Sequence, residues 1–239
     1  MSSWSTLWPS SPCSLLGQKQ SVADRPGRLG YTAMSRRIFA FAMASILSIS
    51  SVSQAASLSA APGKDGNIIV TLSGAIVAGD SDTLKSIIQT ANRGNREVVA
   101  IRLNSLGGLI LEGVKLADMV RDSKISTSIV GSAKCASICF IIFAAGREKY
   151  ANYATSVGVH GASNESGQET LQSNAVTMSM ALIAEEFGVP SRIIEKMVAT
   201  PPDKLAWLTP DDLRSMGTTM TGKPARLRPQ QPPRSRLSP

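Results

Sequence analysis

The chain has 239 residues, 43% hydrophobic and 5% aromatic, and a formal net charge of +8. That charge sits at the ends: residues 1–55 carry five Lys/Arg and one acid, residues from Gly222 onward carry five Lys/Arg and no acid, and the body 56–221 holds 15 bases against 16 acids. A near-neutral body with few aromatic rings excludes an extended nucleic-acid surface, which needs clustered cations and stacking platforms.

Residues 1–33 are rich in Ser, Pro and Gly without amphipathic period, and read as an extension ahead of a true start at Met34. Residues 34–55 follow the pattern of a secretory signal: Arg36-Arg37, an apolar run from Ile38 to Leu47, and small residues before a cut after Ala55. The paired arginines also fit a twin-arginine signal. The apolar run falls short of the roughly 20 residues of a stable span. A periplasmic or secreted protein is expected, with an uncleaved inner-membrane anchor as the alternative. Residues 56–221 then make one domain with a real core. Residues 222–239, with Pro224, Pro229, Pro232 and Pro233 among five bases, read as a disordered tail.

Within the body, short β-type runs alternate with helical stretches. Ile68–Leu72 reads as a strand, and Asp80 or Ser81 caps a helix through Leu84, Ile87, Ile88 and Ala91 that ends at Arg93-Gly94-Asn95. Val98–Leu103 is a second strand, turned by Asn104–Gly108 into a helix through Gly113, Leu116, Ala117 and Val120. Ile125–Val130 is a third strand, Ser137–Ala145 an apolar helix stopped by Gly146, and Val157–His160 a fourth strand. A long helix spans 165–187 and ends at Gly188-Val189-Pro190. A helix over Ile193–Val198 follows, and a last one starts at Thr209-Pro210 and stops at Gly217. This alternation predicts an α/β domain around a mostly parallel sheet.

The candidate chemistry gathers at three points. A glycine pair, Gly107-Gly108, follows a strand directly, where free backbone N–H groups can act as oxyanion donors. Ser137 opens an apolar helix, and His160, the chain's one histidine, ends a strand. A serine nucleophile needs a base, and imidazole is the side chain suited to that task near neutral pH. Lys134 is an alternative base, three residues from the serine. Cys135 and Cys139, four apart in an exported chain, are either a disulfide or two buried thiols. The nearby sequence offers no zinc-type ligand set, and no metal or cofactor is expected.

Taken in order, the Ser105-Leu106-Gly107-Gly108 turn, the Ala136-Ser137 helix start, Ala145-Gly146, the basic Arg147 and Lys149, and His160 resemble the Clp protease proteolytic subunit of the ClpP/crotonase superfamily. The pattern around Cys135 and Cys139 is similar to exported members of that group. The resemblance covers about Asn67 to Met220. It implies a fold of ββα repeats around a mostly parallel sheet with a protruding handle helix near 165–187. It also implies a serine peptidase acting on peptides or proteins: Ser137 as nucleophile, His160 as base, oxyanion donors from Gly107 with Gly108 or Ile138, and assembly into homo-oligomers. The family's aspartate position is held by Lys204, so Asp203, one residue away, is the candidate third member. A catalytically inactive peptide-binding or assembly protein is the alternative. Acyl-CoA chemistry is disfavoured because CoA is not expected outside the cytoplasm.

Overall fold

A computed structural model describes residues 56–224. The N-terminal extension, the signal segment, Cys13 and the tail beyond residue 224 lie outside the described residues. Two sheets carry the structure. The larger holds six strands in the order β1 (Ser57–Pro62), β2 (Ile68–Ser73), β3 (Val98–Asn104), β4 (Ser126–Ile129), β6 (Lys149–Asn152) and β9 (Thr218–Thr221). All its neighbours are parallel except β1, which runs antiparallel to β2. The smaller sheet holds β5 (Lys134–Ala136), β7 (Ser156–Val159) and β8 (Ala206–Trp207), with β5 and β7 parallel and β8 antiparallel to β7. The mostly parallel α/β expectation therefore holds, divided over two sheets.

Strand β2 shows why the large sheet forms: Ile68, Val70 and Leu72 are buried while their alternates are half-exposed, a period of two that sinks one face into the core. Helices α1 (Asp80–Arg93) and α2 (Ile110–Asp122) follow β2 and β3. Helix α3 (Ile138–Ala144) is buried at every position, as its unbroken apolar sequence requires. Helix α4 (Leu171–Glu186) buries Ser173, Thr177, Met180, Ala181 and Ala184, and leaves Leu171, Met178 and Leu182 exposed. Helices α5 (Ser191–Ala199) and α6 (Pro210–Ser215) complete the order. Among the described residues no helix is long and apolar enough to cross a membrane.

Several boundaries differ from expectation for physical reasons. The long helix starts at Leu171 rather than near 165, because Gly167 takes a positive φ and Thr170 closes a reciprocal capping box with Ser173. Helix α1 is capped by Gly79, not by Asp80 or Ser81. The orphan donors at its start are met by carboxylates instead: Glu112 accepts from the N–H groups of Gly79 and Ser81 at 3.1 and 2.7 Å, and Asp80 accepts from Val77 N–H. Strands β1, β6 and β9 escaped the sequence pattern because they are polar or small-residue segments whose extended form depends on sheet neighbours.

Candidate active site

Two strand-to-helix turns meet at one place. The first leaves β3 and enters α2 through Ser105–Leu109, and the second leaves β5 and enters α3 through Ser137. A backbone bridge between Ser105 and Cys135 fixes them together: Ser105 N–H donates to Lys134 O at 2.8 Å, and Ala136 N–H donates to Ser105 O at 3.0 Å. A Cβ built on Gly107 would stand 2.7 Å from Ser137 Cβ and 3.2 Å from Ser137 Oγ, which locates the glycine turn directly against the serine.

Both glycines hold conformations closed to other residues, Gly107 at φ 106° and Gly108 at φ 150°. Gly107 N–H is engaged within the turn, donating to Ser105 Oγ at 3.1 Å, and its carbonyl accepts from Ile76 N–H at 2.9 Å. The N–H groups of Gly108 and Ile138 have no hydrogen-bond partner among the described residues. Sequence reasoning passed over Ser105, although a serine hydroxyl accepting from the N–H two residues on is a recognisable short-range turn signal.

Ser137 itself has φ 57° and ψ −134°. A non-glycine residue held there costs about 1–3 kcal/mol and persists only where its surroundings over-determine it. The surroundings are visible: Ser137 N–H donates to Gly158 O at 3.1 Å, and Ser137 O accepts from Phe140 N–H at 2.9 Å. Its hydroxyl makes no capping bond. Ser137 lies between strand and helix, not within the helix as the apolar run suggested. Cys135 therefore belongs to β5 and Cys139 to α3, and their sulfurs are joined in a disulfide at 2.07 Å.

His160 follows β7. The parallel register pairs Ala136 with Gly158, so one further step sets Ser137 beside Val159 and a residue short of His160. Serine and histidine are both half-buried, and no hydrogen bond joins them among the described residues. The imidazole Nδ1 lies 2.6 Å from Gly161 O. A carbonyl only accepts, so Nδ1 carries the proton and Nε2 is the basic nitrogen. Gly161 is fixed in turn by its N–H donating to Thr200 O at 2.9 Å. Asp203 is not brought onto the imidazole: it is exposed in the loop between α5 and β8 and makes no hydrogen bond or ion pair to His160. Lys134 opens β5 with an exposed side chain. Among the described residues no three His, Cys, Asp or Glu side chains cluster as a metal site.

No protein-family model matches the chain, and no curated protein matches it. Among solved structures it is similar to an alanine-substituted mutant of the 1510-N membrane-bound stomatin-specific protease, at 21% identity over 63% of this chain and 77% of that one, with a TM-score of 0.49. It is also similar to the ClpP protease catalytic domain from Plasmodium falciparum, at 18% identity over 63% of this chain and 83% of that one, with a TM-score of 0.48. Both of these are proteases.

Proposed function

We propose that the protein is an exported ClpP-like serine peptidase that works through Ser137 and His160. The observation that carries this reading is the backbone of Ser137. A strained serine between a strand and a helix, with its hydroxyl uncommitted and a glycine turn against it, is the arrangement that presents a nucleophile to a cleft. A merely structural serine has no reason to bear that strain when glycine would relieve it.

In this reading Ser137 Oγ attacks the peptide carbonyl while His160 Nε2 takes the hydroxyl proton, then gives it to the leaving amine; water repeats the sequence on the acyl-serine. The developing oxyanion is received by the N–H groups of Gly108 and Ile138, and Gly107, held by Ser105, shapes the turn that presents them. Gly161 O takes the orienting position behind the imidazole. Asp203 is the second candidate for that position, and Asp203→Asn separates the two. A fall of about 10³–10⁴ in kcat would put the carboxylate behind the histidine in the working enzyme, and a change below about threefold leaves the carbonyl in that place. Assembly through the exposed side of α4 fits its uncovered Leu171, Met178 and Leu182.

A fluorophosphonate probe tests the core of the proposal. Labelling of the folded chain that disappears in Ser137→Ala and falls in His160→Ala supports it. A folded wild-type chain that takes no label is instead the inactive, peptide-binding form of the same architecture.

A further inference from the structure

The disulfide closes a ring of five residues, Cys135-Ala136-Ser137-Ile138-Cys139, with the strained serine at its centre. Resting on the peptidase reading, we propose that Cys135 and Cys139 are positioning residues: their bridge holds Ser137 in its reactive conformation, so the nucleophile becomes competent only in a chain whose thiols have been oxidised. Three observations support this. One anchor lies in β5 and the other in the first turn of α3, so the bridge spans the very turn whose dihedrals are unfavourable. A loop this short removes less chain entropy from the unfolded state than a longer one would, so the bridge is poorly placed for global stability and well placed to fix a local geometry. The backbone bonds at Ala136, Ser137 and Phe140 anchor the ends of the turn, and none reaches the Ser137 hydroxyl.

Both cysteines are 0% exposed. Once the chain has folded around it, the bridge is out of reach of a soluble reductant. The device is thus a licence given during folding rather than a reversible switch. Its formation transfers two electrons and two protons from the Cys135 and Cys139 thiols to a small or protein disulfide donor. One thiolate attacks the donor to give a mixed disulfide, the second displaces it, and the donor leaves as two thiols. A reducing compartment would keep the same chain unlicensed.

Two measurements on the full chain test this. The first compares fluorophosphonate labelling of Ser137 in chain refolded with oxidised glutathione, chain refolded under dithiothreitol, and Cys135→Ala/Cys139→Ala. The reduced and substituted chains should label at least tenfold more slowly with far-UV circular dichroism unchanged, and kcat on a peptide should fall with KM held. Labelling within twofold of the oxidised chain overturns the proposal. The second needs no activity and covers the case in which the wild type takes no label, which would sink the peptidase reading by itself. It is a cycle of melting midpoints in which the bridge is broken in the serine chain and in Ser137→Gly. A chain that was storing strain recovers it when the bridge opens, so the serine chain should lose less, by about 3 °C or more. Equal losses would mean that the serine keeps its conformation unaided, and the bridge would have no positioning role.

Discussion

The two turns joined by the Ser105–Cys135 bridge solve one geometric problem in opposite ways. Both carry the chain from a strand to a helix through left-handed backbone. The β3–α2 turn does so with Gly107 and Gly108, where positive φ carries no steric penalty. The β5–α3 turn does so with Ser137, a residue that resists it, and surrounds that residue with backbone hydrogen bonds and a disulfide. Where the turn offers backbone donors, glycine suffices; where it must offer a side chain, the strain is accepted and braced. In the proposed peptidase, the difference marks which turn carries the reacting atom.

The comparison breaks most sharply at Ser137 itself. Ser137→Gly should abolish labelling completely while raising stability by about 1–3 kcal/mol, read as a higher melting midpoint, because glycine adopts the turn freely. A destabilised Ser137→Gly chain would show that the serine's conformation is not strained. Next comes the glycine turn. A Cβ on Gly108 would lie 2.1 Å from Ile76 O, against backbone that cannot step aside. Gly108→Ala should therefore lose about 2 kcal/mol or more in denaturant melts. Gly107→Ala puts its Cβ on Ser137 and should slow labelling by about 10²-fold, on the scale of a lost oxyanion donor.

Smaller effects sharpen the comparison. Ser105→Ala removes the hydroxyl that accepts from Gly107 N–H, and should cost about 1 kcal/mol with a tenfold or smaller loss of rate, chiefly in kcat. The smallest effect lies away from the two turns and serves as their control. Asp212 accepts from Lys196 Nζ at 2.7 Å and from the Thr209 N–H at 2.9 Å. Burial pushes its carboxyl up, and these partners outweigh it, so the carboxyl lies below its ordinary value. Stability from this group is present above the unfolded carboxyl range and is lost as pH falls through the lower folded value. Glu112, held low chiefly by hydrogen bonding from Ser81, acts in the same direction. Asp80, raised by burial and the neighbouring Glu112, opposes them and is relieved in acid. Urea melts of Asp212→Asn between about pH 5 and pH 2 should show a shallower acid loss than wild type, with labelling at neutral pH unchanged.

Much of this was legible in the residues. Ile68–Leu72 and Val98–Leu103 announce strands by apolar pattern, and Leu84, Ile87, Ile88 and Ala91 announce an amphipathic helix. The Gly107-Gly108 pair declares its own turn, since little else tolerates those dihedrals. Polar strands such as Lys149–Asn152 and Thr218–Thr221 were invisible, because their extended form comes from sheet neighbours and not from their own side chains. Ser137 was legible as a candidate, but its placement was not: an apolar run cannot say whether the serine before it belongs to the helix or to a strained turn.

The sequence by itself determined the alternation of strand and helix, the one available imidazole and Ser137 as a candidate nucleophile, because these depend on local pattern and residue chemistry. The tertiary structure alone decided the division into two sheets, the contact of Gly107 with Ser137, the joining of Cys135 to Cys139 across the turn, and the contact of His160 Nδ1 with Gly161 O. The first two are relations between segments far apart in the chain, and the last two are local contacts whose geometry follows from backbone held by neighbouring strands. Only packing, which brings β5, β7 and the glycine turn together, can set them.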